Sequence, residues 1–177
     1  MSLGTLAAPT TIANEIANWL NTHPGPSNLS QLLTNIHEAA HVIYHRDLGD
    51  DPQVRGAHWR IIDGKREWVL GSVECLPAHI QMNAHPVLVA KTFLGPRYIE
   101  VLLRGKESQD ECWFASRRDF GLYSDWYRIR QTLRADLPSD LKEEVQRAIR
   151  RDFNDPVFQR RLWKTALEYE ARIKAQN

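Results

Sequence analysis

Two histidines and a glutamate lie close together in the segment His37-Glu38-Ala39-Ala40-His41. On an α-helix, residues four positions apart share a face, so both imidazoles can reach one zinc ion at about 2.0–2.1 Å. Glu38 lies about 100° round the helix from His37, which puts its carboxylate beside the metal rather than on it. There it can accept a proton from an attacking water and pass it to a leaving amine. The segment predicts a hydrolytic zinc site with His37 and His41 as ligands and Glu38 as general base.

A catalytic zinc site of this kind needs a third protein ligand from elsewhere in the chain. Asp125 is our first choice, because it begins a predicted helix and shares a face with Ile129 and Leu133. An acid on an apolar helix face is costly to bury unless it is paired or bound to metal. The alternative is an exposed aspartate that the helix dipole favours. Glu100 and then Asp119 are the next candidates for the third ligand.

His45 follows the pair at the next four-residue step, but it is not predicted to be a ligand. From His37 to His45 the helix advances about 12 Å, which one tetrahedral zinc cannot bridge. We expect His45 to support a ligand or to lie on the surface. The isolated residues His58, His79 and His85 are expected to be structural or surface histidines.

The motif must be positioned by a fold whose apolar pattern is mainly helical. An apolar stripe predicts the motif helix from Ser27 or Ser30 to about Arg46. Cap and turn residues predict further helices that begin near Thr11, Pro86, Ser124, Ser139 and Pro156. We expect Gly95-Pro96 to break or kink the helix that Pro86 opens.

One small β-structure is predicted directly after the motif helix. The strand-like runs Ala57 to Ile62 and Glu67 to Cys75 flank Asp63-Gly64-Lys65-Arg66, which favours a hairpin turn. The predicted fold class is mainly α (α+β), a zincin-like helical domain with this small hairpin. Residues 1–26 form a predicted N-terminal helix and linker, and residues 27–177 form a zinc-peptidase-like domain.

Composition excludes several classes of protein. The 177 residues carry a formal net charge of +1, so no broad electric field recruits nucleic acid or an anionic membrane. Apolar runs fall short of the roughly 20 residues that a membrane helix needs. Two cysteines, Cys75 and Cys112, make no disulfide framework, and a reducing cytoplasm is the expected location.

The motif His37-Glu38-Ala39-Ala40-His41-Val42-Ile43 resembles the catalytic helix of the FtsH-type zinc peptidases. The resemblance continues in order: Phe93-Leu94-Gly95 with Glu100 is similar to a later helix of the family. Ser124-Asp125 is similar to the pair that supplies the family's third zinc ligand. The resemblance implies that His37, His41 and Asp125 bind zinc and that Glu38 is the base.

The sequence departs from that family in ways that bear on its partners. It has no Gly-x-x-x-x-Gly-Lys-Ser/Thr loop and no membrane segment, so it best fits a stand-alone peptidase without the ATPase module. We expect an extended peptide or unfolded protein as substrate, and a separate ATPase is a candidate partner. The alternative function is a non-catalytic interaction or regulatory module that retains the peptidase fold and its zinc. Glu38 favours the enzyme, because a structural zinc site needs no base.

Overall fold

The computed structural model describes residues 10–56, 58–62, 64–69, 72–74, 86–103 and 139–176. Within these residues the chain forms five helices and one antiparallel β-ribbon. The helices are α1 (Thr10–Thr22), α2 (Asn28–Asp47), α3 (Pro86–Leu103), α4 (Ser139–Asn154) and α5 (Pro156–Gln176). The strands are β1 (Gln53–Arg55), β2 (His58–Ile62), β3 (Lys65–Val69) and β4 (Ser72–Glu74). The prediction of a mainly helical chain with a small hairpin is confirmed.

The central element is α2, the motif helix, which packs mainly against α3 and α5. A surface helix buries one stripe, whereas a helix enclosed by neighbours buries several faces. The predicted apolar stripe of α2 is wholly buried: Leu32, Leu33, Ile36, Ala39, Ala40, Ile43 and Tyr44. The motif therefore starts from a rigid support that is fixed on most sides.

The first helix belongs to the same core as the helices that follow the linker. Ile12 and Ile16 are buried in the cluster that also contains residues of α2, α3, α4 and α5. The backbone N–H of Ile12 donates to Oε1 of Gln159 at 3.1 Å, and Nε2 of Gln159 donates to the carbonyl of Phe153 at 2.8 Å. A buried amide side chain thus ties α1 to the last two helices.

Helix α3 opens at Pro86 as predicted, but it runs through Gly95-Pro96 to Leu103 without a break. Of the break or kink that we expected, the break is wrong. A proline inside a helix removes one backbone hydrogen bond and ordinarily costs about 3 kcal/mol. Here the apolar side chains on both sides of it are buried in the core, among them Phe93 and Ile99. Their burial offsets the proline, because separating the two halves of α3 would expose this surface.

Gly95 allows the close approach of α3 to α2. A Cβ atom added at Gly95 would lie 2.3 Å from Cε2 of Tyr44, which is shorter than any van der Waals contact. The Tyr44 ring therefore occupies the space that a side chain at position 95 would need. This contact sets how near the two helices lie at the level of the motif.

The β-ribbon consists of two antiparallel two-stranded sheets, β1 with β4 and β2 with β3. Arg55 pairs with Ser72, and three residues further along each strand His58 pairs with Val69 without a shift. Gly64 at the turn has a φ of 76°, a conformation that glycine adopts at little cost. The predicted hairpin is confirmed, but its strands extend back to Gln53 and its turn is tighter than expected.

The two ends of the ribbon have different surroundings. At the base, Val73 is buried with Val42 of α2 and Tyr169 of α5. At the tip, Trp59, Ile61 and Trp68 are 54%, 68% and 51% exposed. Since Trp59 pairs with Trp68, the two indoles lie on one face of the sheet that β2 and β3 form. The ribbon is thus anchored beside the motif helix and presents an apolar face at its far end.

Three more predicted helices have different outcomes: two are confirmed, and one lies outside the described residues. The helices predicted near Ser139 and Pro156 begin at those residues. The helix predicted near Ser124 lies outside the described residues. No helix among the described residues has the length and apolar character needed to span a membrane.

We predict that Gly95→Ala lowers the free energy of unfolding by about 1–3 kcal/mol, because the new methyl group overlaps the Tyr44 ring. Urea unfolding followed by circular dichroism measures this loss. The same substitution in a Tyr44→Ala background removes the overlap and should cost much less. Equal losses in both backgrounds would show that Tyr44 does not set the packing.

Candidate metal centre

The two motif histidines turn the same nitrogen atoms toward each other. Nε2 of His37 lies 3.2 Å from Nε2 of His41, and the two rings meet edge-on with centroids 5.0 Å apart. Two nitrogen ligands about 2.05 Å from one tetrahedral zinc are separated by roughly 3.3 Å. The observed separation therefore matches that of two histidines prepared to share one metal ion.

The orientation of His41 is set by a backbone carbonyl of α3. Nδ1 of His41 lies 2.9 Å from the carbonyl oxygen of Thr92, and both residues are buried. A carbonyl oxygen only accepts hydrogen bonds, so Nδ1 of His41 carries the proton and donates it. In a neutral imidazole, Nε2 then holds a lone pair that is directed toward His37. This is the tautomer that a metal ligand requires.

The carboxylate of Glu100, also on α3, lies on the side of the His37 ring that faces away from His41. Its Oε2 is 3.2 Å from Nδ1 of His37, within ion-pair distance, and 3.4 Å from Nη1 of Arg97. Nδ1 is the ring nitrogen that does not face His41. Glu100 therefore lies on the side of His37 away from the shared space between the rings.

Together these contacts leave a short separation between two imidazole nitrogens, which one proton or one cation can bridge. If both neutral rings carry their protons on Nδ1, two lone pairs face each other across 3.2 Å; if His37 carries its proton on Nε2, that atom donates to Nε2 of His41. The first arrangement is relieved by a proton on one Nε2 or by a cation between them. A divalent metal would satisfy both nitrogens at once, and its binding would compete with protons.

Glu38 occupies the side of α2 that faces the base of the ribbon and α5. Burial, and then the charge of Glu38, raise the pKa of Tyr169 far above its ordinary value. Tyr169 also donates its hydroxyl to the carbonyl of Arg55 in β1 at 3.3 Å. Glu38 is itself partly exposed, so its carboxylate lies between the protein interior and water. That is a suitable position for a group that exchanges protons with water.

His45, which was expected to support a ligand or to lie on the surface, is buried. Its Nδ1 pairs with Oδ2 of Asp50 at 2.9 Å, and both side chains are buried. The partner Asp50 was missed by sequence reasoning. The residue that could have indicated this contact is Gly49, which ends the helix with a φ of 86°. The chain turns back there, so that the Asp50 N–H donates to the carbonyl of His45.

The proposed third ligands fall in different parts of the chain. Asp125 and Asp119 lie outside the described residues, as do His79 and His85. Among the described residues, no further His, Cys, Asp or Glu completes a group of three that could hold a metal ion. His58 contacts the carbonyl of Gly56 at 2.7 Å and is structural, as expected.

Sequence reasoning also missed Thr92 and Tyr169 as neighbours of the motif. Thr92 contributes a backbone atom, so no side-chain pattern identifies it. Tyr169 lies on the last helix, more than 120 residues after the motif, so no local pattern connects the two. Comparison of the chain with protein-family models, with curated proteins and with solved structures found no match.

The buried tyrosines predict a loss of stability in alkali. Burial raises the pKa of Tyr44 and of Tyr169, so the folded protein holds both phenolic protons more tightly than the unfolded chain. Their contribution is complete below the unfolded pKa of about 10 and is lost as pH rises above it, by up to about 1.4 kcal/mol per pH unit for each tyrosine.

Urea unfolding between pH 8 and pH 11.5 measures this slope. Tyr169→Phe should flatten it above pH 10 and leave the region from pH 8 to 9 level. An unchanged slope in Tyr169→Phe would contradict the assignment.

Proposed function

We propose that this chain is a zinc-dependent peptidase with a zincin-like site, similar to the FtsH-type peptidases and acting in the cytoplasm. One observation carries the proposal. The Nε2 atoms of His37 and His41 converge at 3.2 Å, while the Nδ1 atoms lie against Thr92 and Glu100 of α3. Surface histidines on a solvated helix would have no reason to be held on both sides in this way.

Zinc, when bound, would polarise the scissile carbonyl and the attacking water. Glu38 would accept the proton of that water and deliver it to the leaving amine. Its position one residue after His37 brings it near the reacting atoms without placing it on the metal. Its partial exposure suits this role, because a wholly buried carboxylate would resist ionisation.

Asp125 remains our proposed third ligand, supported by the resemblance and by the apolar helix face that the sequence predicts around it. Glu100 is better suited to orient His37, because its carboxylate contacts Nδ1 rather than approaching the space between the Nε2 atoms. Carboxylates that hold a metal-binding histidine by its second nitrogen tune both the ring orientation and the metal affinity.

The substrate is proposed to be an extended peptide or an unfolded protein that adds a strand to the ribbon. Of the two base strands, β4 contacts α2, while the Arg55 carbonyl of β1 accepts the Tyr169 hydroxyl. The edge of β4 is therefore the better candidate to run past His37 and His41. An unpaired strand edge binds peptide backbones with little side-chain selectivity. A separate ATPase is a proposed partner that would present folded proteins.

A specific observation favours a second candidate, the non-catalytic interaction module. The exposed pair Trp59 and Trp68 meets edge-on with centroids 5.2 Å apart, and the Arg66 guanidinium lies 4.7 Å from the Trp59 ring. Exposed aromatic groups of this kind mark contact surfaces. The two candidates differ in one measurable respect, since only the peptidase requires the carboxylate of Glu38.

We predict that the protein binds about one zinc per chain, because one histidine pair and one acid form a single three-ligand site. His37→Ala or His41→Ala should abolish binding. His23→Ala is the matched control, since this exposed histidine stacks on Trp19 outside the site. Elemental analysis and competition with a chromophoric chelator measure stoichiometry and affinity.

The same titration separates the two candidate acids. Asp125→Ala should remove tight binding, whereas Glu100→Gln should weaken it by about 10- to 100-fold. The reverse order would make Glu100 the third ligand. No affinity of the unaltered protein for zinc, cobalt or nickel would overturn the proposed function.

We predict that Glu38→Gln keeps the fold and the bound zinc but lowers peptide hydrolysis by at least about 100-fold, because an amide cannot accept the proton of water. Glu144→Gln, an exposed substitution on α4, is the control and should retain full activity. Zinc content and cleavage of a fluorogenic peptide library are measured together.

One peptide sequence should be tested both free and within a stable folded domain. Only the free peptide is expected to be cut, because strand addition requires an extended chain. Bound zinc without any cleavage by the unaltered protein would favour the interaction module instead.

A further inference from the structure

Pro96, in the middle of α3, follows Thr92 by four residues, and the Thr92 carbonyl contacts His41 of the motif. In an α-helix, the N–H of residue 96 would donate to the carbonyl of residue 92. Position 96 is proline, which has no N–H, so Thr92 cannot receive this hydrogen bond. The Thr92 oxygen instead lies 2.9 Å from Nδ1 of His41. The helix therefore lacks one internal hydrogen bond at the carbonyl that contacts His41.

We propose that Pro96 is a positioning residue of the metal site, which acts by releasing the Thr92 carbonyl for His41. This inference rests on the proposed function, since it assigns Pro96 a part in preparing a zinc ligand. The released oxygen accepts the Nδ1 proton, and the Nε2 lone pair of His41 is thereby directed at His37.

Burial makes the released carbonyl decisive. Thr92 is 0% exposed and His41 is 7% exposed, so water has little access to either polar group. Without the Thr92 oxygen, Nδ1 of His41 would lack the acceptor that selects its tautomer. With a donor at residue 96, the same oxygen would be shared between two donors, and its pull on the imidazole would weaken.

Gly95 and Pro96 serve this contact in two different ways. Gly95 removes the side chain that would collide with Tyr44, so α3 comes near enough for its backbone to reach the α2 imidazole. Pro96 then supplies a free acceptor at that point of closest approach. Gly95-Pro96 was expected to interrupt the helix. Instead the helix is continuous, and its backbone contacts His41.

The test uses Pro96→Ala in the full chain. Removing an interior proline should raise the melting temperature of the metal-free protein, because α3 regains its missing hydrogen bond. The same substitution should weaken zinc binding by about tenfold, because His41 loses part of its orienting contact. Opposite effects on stability and affinity are not expected from a purely structural proline.

Pro86→Ala is the matched control, since Pro86 is the first residue of the same helix, where no N–H is used. It should change neither quantity appreciably. Thr92→Val keeps the backbone carbonyl and should retain zinc affinity.

The tautomer of His41 gives a readout that does not depend on metal or activity. Long-range ¹H–¹⁵N correlation spectra of the metal-free protein should show His41 protonated on Nδ1, with Nε2–H forms appearing in Pro96→Ala. An unchanged tautomer together with unchanged zinc affinity in Pro96→Ala would overturn the inference. Failure of the unaltered protein to bind metal would overturn the proposed function, while the tautomer comparison would still decide the role of Pro96.

Discussion

The contact between His41 and Thr92 is the constraint on which the rest of the site depends. α2 is enclosed by apolar neighbours, and an imidazole on such a helix must find polar partners or lose the energy of its hydration. α3 supplies them from a single stretch, with the Thr92 carbonyl at His41 and the Glu100 carboxylate at His37. Because both partners lie on one rigid helix, the packing of α3 on α2 fixes the two rings together.

That packing in turn depends on a glycine, because Gly95 has no side chain to separate the helices. Gly95 leaves space for the Tyr44 ring, and the ring fills it so closely that no Cβ would fit. Interiors are packed at crystal-like density, so such a contact tolerates little displacement. A shift of α3 by the width of a methyl group would move the Thr92 carbonyl out of hydrogen-bonding range. The geometry of a polar site is thus held by apolar contact one turn away.

Much of the fold could be predicted because its signals are local. The apolar stripe of α2, the turn at Gly64 and the capping residues near Pro156 each act within a few residues, and the corresponding elements are confirmed. The break predicted at Pro96 is wrong, because helix propensity describes an isolated segment. In the structure, tertiary contacts on both sides of Pro96 hold the helix together. The partners of the motif could not be predicted for a related reason, since Thr92 contributes a backbone atom from a distant helix.

The surroundings of α2 divide the chemistry of the motif between two sides. His37 and His41 face α3, where polar partners restrict their orientation. Glu38 lies about 100° round the same helix, toward the base of the ribbon and Tyr169. Metal ligands benefit from rigidity, because any disorder in the rings weakens coordination, whereas a general base must exchange protons with water between turnovers. A motif of five residues can meet both demands only if the helix that carries it is buried unevenly. His41 is buried, whereas His37 and Glu38 are both partly exposed, so water reaches the motif at its first two residues. The base of the ribbon packs on α2 through the buried Val42 and Val73, so an extended chain paired with the ribbon would meet the proposed base beside the partly exposed His37.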